Sequence, residues 1–412
     1  MRYAPGLCAA FFIALCAAST AAATELLITD ARVYPAPGVA PIENGAVLVR
    51  DDRIVAVGPA SEIGAGEDAV VIDADGGAVL AGFWNSHVHF TEPKWAGAAD
   101  LPAPRLQSQL REMLVRYGFT SVVDTGSDPR DTGPLRARIE SGEIAGPRII
   151  TAMSPLFPPD GVPYYVREAL PPEFLSLLSQ PATADEAVAI VRANLAGDGD
   201  VVKLFTGSWV KEGGSAKPMP VDIATAAVEE AHRHGALVFT HPSDVRGLEV
   251  ALAAGVDVLA HSVEALDGFE PSHLQRMRER GMAMVPTLQL FSVNPEPKLD
   301  AILREVGDYQ RLGGEIWFGT DVGYIDDYDP ALEFALLRRA GLSFDQILAA
   351  LTTAPASRLP GGDARGRVES GMIADLVVLG GDPARDPEAW TQVRYVFRDG
   401  RRVFEAATSQ AR

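Results

Sequence analysis

Two histidines one residue apart, His87 and His89, are the first residues in this chain whose types and spacing suggest chemistry. The segment holding them, Gly82-Phe83-Trp84-Asn85-Ser86-His87-Val88-His89-Phe90, reads as extended. Alternate side chains of a strand share a face, so both imidazoles can enter one site. Imidazole nitrogens bind Zn²⁺ at about 2.0–2.1 Å. A lone His-x-His pair also looks like two polar loop residues. Three further ligand types follow apolar, strand-like runs: His241 after Leu237-Val238-Phe239, His261 after Val258-Leu259-Ala260, and Asp321 after Ile316-Trp317-Phe318. Lys203 lies inside another such run, Val201 to Phe205, in a chain whose lysines are confined to positions 94, 203, 211, 217 and 298. An ammonium has three donors and no acceptor, so it cannot ligate a cation as it stands. Burying it unpaired is costly. Lys203 therefore calls for a partner, such as Asp321.

Positioning these residues requires many strand ends at one rim. Eight strand-like runs alternate with helical ones, such as Ala184 to Leu195 and Ile223 to His234. The runs centre on Val79-Leu80, Ser121-Val122-Val123, Arg148-Ile149-Ile150, Val201 to Phe205, Leu237-Val238-Phe239, Val258-Leu259-Ala260, Met284-Val285-Pro286 and Ile316-Trp317-Phe318. This alternation is the signature of an α/β protein with a parallel sheet. Eight units over residues 79–362 fit a (β/α)8 TIM barrel, in which the working residues sit at the C-terminal ends of strands. Residues 24–78 and 363–408 carry short alternating strands and hairpin turns such as Asp51-Asp52-Arg53. Neither end is long enough to bury a core alone. The expectation is one discontinuous, antiparallel β-sandwich domain made by both.

The 412 residues are 47% hydrophobic and 22% charged, the mix of a globular protein with a deep core. A net charge of −19 repels phosphate backbones and anionic membranes, which argues against nucleic acid as a partner. Cys8 and Cys16 both lie in the opening segment, where Arg2, the apolar run Leu7 to Ala18 and Ala21-Ala22-Ala23 form a signal-peptide pattern over residues 1–23. Cleavage there implies a secreted or periplasmic protein with no cysteine left for a disulfide or a thiolate metal site, and no stable membrane insertion. A homo-oligomer is compatible with this composition.

Taken together, the ordered set resembles the metal-dependent amidohydrolase superfamily, in its imidazolonepropionase-like and prolidase-like branch with a carboxylated lysine. The resemblance rests on the Gly82–His89 entry, Val202-Lys203-Leu204, His241, His261, Gly319-Thr320-Asp321, and the tail Gly366-Arg367-Val368-Glu369-Ser370-Gly371-Met372-Ile373-Ala374-Asp375-Leu376. Many members have Asp where this chain has Asn85. The resemblance implies two divalent metal ions, usually zinc. His87, His89 and Asp321 would hold one and His241 and His261 the other, bridged by a CO2-derived carbamate on Lys203. Asp321 would be the catalytic proton shuttle, serving a metal-bridging hydroxide and then the leaving nitrogen of an amide or peptide bond.

Specificity is expected from the loops after the strands. Tyr164, Tyr165, Trp209 and Lys211 are the candidate substrate-binding residues, the aromatics for an apolar pocket and Lys211 for a carboxylate. Prolidase-like relatives commonly carry an aromatic residue just before the strand-five histidine, where this chain has Thr240. The substrate expected is a small molecule of the dipeptide or N-acyl amino acid class. Alternatives are a mononuclear imidazolonepropionase-like cyclic amide hydrolase or deaminase, which Lys203 disfavours, a lactone or ester hydrolase, and a non-catalytic binding protein on the same scaffold. His232 and His234 read as surface residues, and His273, at a helix start, as exposed.

Overall fold

The computed structural model describes residues 25–170, 175 and 178–407. The expected signal peptide lies outside the described residues, as does residue 408. The two chain ends meet in one eight-stranded sheet. Glu25–Val33 pairs antiparallel with Ile42–Arg50, which turns at Asp51 (φ 55°) onto Arg53–Pro59. Leu376–Leu379, Val393–Arg398 and Arg401–Glu405 extend the same sheet from the C-terminal end. The sheet is mixed, which corrects the antiparallel expectation: Leu26–Thr29 runs parallel to Val70–Asp73, and Arg32–Val33 to Ala78–Val79.

Val79-Leu80, expected as the first barrel strand, belongs to this sheet and joins the two ends through the pairs Ala81–Leu376 and Leu80–Val377. All of Ala78–Ala81 is buried. Ala78 and Leu80 face the barrel core, whereas Val79 packs with Ile28, Val47 and Val378 in the sheet's own core. A strand buried on both faces reads as a continuous apolar run, as a parallel barrel strand does, which is why the sequence pattern does not separate them.

The barrel starts one residue past that strand. Its strands are β1 (Phe83–Val88), β2 (Phe119–Asp124), β3 (Arg148–Thr151), β4 (Val202–Phe205), β5 (Val238–His241), β6 (Val258–Ala260), β7 (Ala283–Val285) and β8 (Glu315–Ile316). They form two parallel runs, β1 to β3 and β4 to β8. Backbone hydrogen bonds close the ring. Leu156 N donates to Lys203 O (2.9 Å) on one side and Ser86 N to Phe318 O (2.7 Å) on the other. The interior is filled by Trp84, Val123, Ile150, Phe239, Val285 and Trp317, as a packed barrel requires. Among the described residues no helix is long and apolar enough to cross a membrane.

Candidate metal centre and substrate cavity

The barrel brings the six expected ligands to one rim. His87 is in β1 and His89 just after it, Lys203 is in β4, His241 ends β5, His261 follows β6, and Asp321 follows β8. Several strand ends leave regular backbone there: Met153 (φ 56°), Ser243 (60°), His261 (107°), Thr287 (47°) and Asp321 (62°). Such conformations cost about 1–3 kcal/mol each and persist where surroundings over-determine them. Asn85 is one such surrounding: its Oδ1 accepts from Thr320 N (3.2 Å) and its Nδ2 donates to Thr320 Oγ1 (2.8 Å), locking β1 to the residue beside Asp321.

His87 Nε2 and His89 Nε2 are 3.3 Å apart and lie 3.3 Å and 3.1 Å from the same oxygen, Asp321 Oδ1. The rings of His87 and His261 are 4.4 Å apart, and those of His261 and His241 4.5 Å. The two expected ligand groups are therefore contiguous, and His87, His261 and Asp321 bring ligand atoms within 4.8 Å of one another. Lys203 is buried beside Phe239 of β5, its Nζ 5.5 Å from the Phe205 ring, which stacks on His241 at 4.9 Å.

Hydrogen bonds around the rim set the tautomers. Gly126 O can only accept, so His89 Nδ1 carries the proton of their 2.7 Å bond. Burial opposes charge on His89, but the Asp321 carboxylate 3.1 Å from its Nε2 overcomes it and raises the ring's pKa. Thr287 has one hydroxyl proton, donated to Pro286 O (2.8 Å), so it accepts from His261 Nδ1 (2.7 Å) and leaves that Nε2 bare. Burial, then the Lys203 ammonium, pushes the His87 imidazolium down to about 3. Burial also holds His241 and His261 well below the usual range. Burial opposes charge on Asp321, but His87, His89 and His261 overcome it and hold the carboxyl well below the ordinary carboxylate range. Burial lowers Lys203 to about 7, against the pull of Asp321, so an unprotonated amine is accessible near neutrality. Imidazoles and an ionised carboxylate converging on one point are a donor set that fits divalent cations.

The same rim opens into a cavity of about 1390 Å³ lined by Tyr164, Tyr165, Trp209 and Lys211, the four residues expected from the loops. Thr240 is turned away from it, buried and bonded to Thr206 between β4 and β5.

The amidohydrolase family model matches residues 78–403. The chain belongs to the amidohydrolase family. A second model, the bacterial imidazolonepropionase-like composite domain, matches residues 45–65. The imidazolonepropionase of Symbiobacterium thermophilum is 27% identical over 82% of this chain and 84% of its own length. The ochratoxinase of Aspergillus niger is 24% identical over 93% of this chain and 88% of its own. Among solved structures, a Xaa-Pro dipeptidase with methionine in its active site matches with a TM-score of 0.77 at 22% identity, covering 93% of this chain and all of that one, a likeness of fold. Membership makes this amidohydrolase a metal-dependent hydrolase of carbon–nitrogen bonds.

Two residues of this amidohydrolase's rim escape motif reading. Asp124, at the end of β2, accepts from Ser127 Oγ (2.6 Å) and Gly126 N (3.2 Å), fixing the turn whose carbonyl orients His89. Thr287 orients His261 as described. Their only sequence signal is position, a polar residue at or just after a strand end. The remaining histidines sit outside the rim. His232 and His234 have exposed side chains paired with Asp257 (2.8 Å) and Glu230 (3.1 Å). His273, expected to be exposed, is 6% exposed: it folds back on its own helix start, Nδ1 accepting from Glu270 N (2.9 Å), while Nε2 meets Glu249 at 3.0 Å. Helix-start position alone misread it, because the capping contact draws the ring inward.

Proposed function

We propose that the chain is a binuclear hydrolase that cleaves the amide or peptide bond of a small substrate of the dipeptide or N-acyl amino acid class. The observation carrying this reading is that His89, His241, His261, Asp321 and the buried Lys203 line one large cavity, with His87 grouped against His261 and Asp321. His87, His89 and Asp321 would hold one divalent ion and His241 and His261 the other, with Lys203 joining them as a carbamate. Zinc suits the imidazole and carboxylate donors. Such ions supply a nucleophilic water at neutral pH and polarise the substrate carbonyl. A carbamate gives Lys203 the anionic oxygens that its ammonium lacks, and the depressed basicity of the buried amine favours the nucleophilic form that CO2 requires.

The chain's own groups then handle the proton. Asp321, kept ionised by its histidine neighbours, accepts the proton of the attacking water and delivers it to the departing nitrogen. Thr287 and Gly126 keep His261 and His89 in one tautomer and orientation through the cycle. The apolar cavity wall limits water around the reacting bond.

A mononuclear cyclic-amide hydrolase is the second reading, favoured by the tight His87–His261–Asp321 group. Buried Lys203 weighs against it. Metal counting on purified protein separates the two: two ions per chain, with the second sensitive to CO2 removal, supports the binuclear reading, and a single CO2-indifferent ion supports the other. We also read residues 1–23 as an export signal, so N-terminal sequencing of protein recovered outside the cytoplasm should find the chain starting near Thr24.

A further inference from the structure

Behind the wall of the barrel mouth lies a second cleft, of about 570 Å³, between the helices Pro271–Glu279 and Glu296–Arg311. One loop separates the two spaces. Ser262, Glu264 and Ala265 line the mouth, and Leu266 and Phe269 line the cleft. The volume falls in the roughly 300–1,000 Å³ range common for ligand sites. Leu266, Phe269 and Leu274 form an apolar wall, and the Phe269 ring is held in place by stacking on His273 at 5.2 Å.

Among the described residues, the loop and the first helix bring no charged group to this cleft, and the second helix brings Arg304, Glu305, Asp308 and Arg311. Asp308 and Arg311 pair with each other. Arg304 is exposed and has no carboxylate partner among the described residues. Glu305 is 3% exposed; its Oε1 accepts from Val263 N (3.2 Å), and its Oε2 has no hydrogen-bond partner. Burial without a compensating charge raises this carboxyl to about 8, so near neutrality it keeps a proton on Oε2 that no acceptor takes. The cleft thus holds one unpaired positive charge and one unused buried donor, in a chain whose net charge is −19.

Both groups call for the same thing, an anionic oxygen. A carboxylate accepts from the Glu305 hydroxyl and from the Arg304 guanidinium together, and charge-assisted hydrogen bonds of this kind are the strong ones. An ammonium would first have to displace the Glu305 proton and then sit beside Arg304, a like charge. We infer that the cleft is a second ligand site, apart from the barrel mouth, that takes a small apolar monocarboxylate. Its carboxylate lies between Arg304 and Glu305, and its apolar body lies along Leu266, Phe269 and Leu274. The occupant rests on the loop whose other side walls the mouth.

The test titrates 4-phenylbutyrate, 4-phenylbutanol and 4-phenylbutylamine into the zinc-loaded full chain by calorimetry. The carboxylate should bind at least about tenfold more tightly than the alcohol or the amine. Arg304→Met, at an exposed position, should weaken it about tenfold, and Ala301→Trp, which fills the cleft, should abolish it. Glu305→Gln keeps a donor and should hold the affinity within about threefold, whereas Glu305→Leu should lose it. Lys211→Met, at the mouth, should leave it unchanged. Absence of binding to the wild-type chain, or a preference for the alcohol or the amine, would overturn the inference. So would a carboxylate affinity that survives both Arg304→Met and Ala301→Trp, since the ligand would then sit elsewhere, and loss in Lys211→Met alone would place it at the mouth.

Discussion

Four histidines at the barrel mouth and three on its periphery belong to the same chain and live by different rules. Each peripheral ring has its own carboxylate: Asp257 for His232, Glu230 for His234, Glu249 for His273. The four rings at the mouth face one another across 4.4–5.2 Å, and two of them, His87 and His89, meet one carboxylate, Asp321. Burial holds His87, His241 and His261 below the usual imidazole range while Asp321 raises His89, and the Nδ1 atoms of His89 and His261 are engaged by Gly126 O and Thr287 Oγ1. Carboxylate-paired histidines hold a fold together; histidines turned on each other make a nest for cations. The chain spends backbone strain at His261, Thr287 and Asp321 to build the second arrangement.

The sharpest way to break that contrast is at Lys203. Lys203→Ala removes the group proposed to join the two ion sites, so metal content should fall by about half or more and turnover on the order of 10⁴-fold, checked by elemental analysis and steady-state kinetics. Partial rescue by added short carboxylic acids is expected; normal turnover in the variant would refute the bridging role. Asp321→Asn comes next. It should lower kcat about 10²–10³-fold with a smaller loss of metal, since an amide keeps an oxygen ligand but cannot take the proton.

A buried acid outside the candidate ligand set, Glu305, shows what burial does to a lone carboxyl. Burial raises Glu305 to about 8, against a backbone hydrogen bond from Val263 N (3.2 Å). The folded state therefore holds a proton that the unfolded chain releases above about 4.5, and stability falls as pH rises from there through about 8. Glu305→Gln should abolish that loss, gaining on the order of a few kcal/mol relative to wild type at pH 9 and little at pH 4, as read by denaturation at both. Thr287→Val probes the mouth more gently: with the His261 tautomer no longer fixed, metal affinity should weaken about 10–100-fold with an unchanged fold. The smallest effect belongs to the periphery. His232→Gln should change metal content not at all and stability by less than about 1 kcal/mol, because its pair is solvent-exposed.

The positions of the candidate ligands were legible because working side chains of a barrel stand at strand ends, and strand ends are where apolar runs stop: His241 and His261 are examples. The barrel class followed from the alternation of runs, though its first strand did not, since Ala78–Ala81 is as apolar as Phe83–Val88 and only pairing distinguishes them. Asp124 and Thr287 stayed hidden because orienting a ligand requires only a hydrogen-bonding oxygen at the right place, with no characteristic spacing. His273 was misread because its contact with Glu249, 24 residues away, belongs to packing between helices.

The central claim is a pair of cations joined through a modified Lys203. Protein purified and metal-loaded under ¹³C-enriched CO2 should give one carbamate carbon resonance per chain, absent in Lys203→Ala, alongside two bound divalent ions. A single ion per fully active chain with no enriched resonance would contradict it.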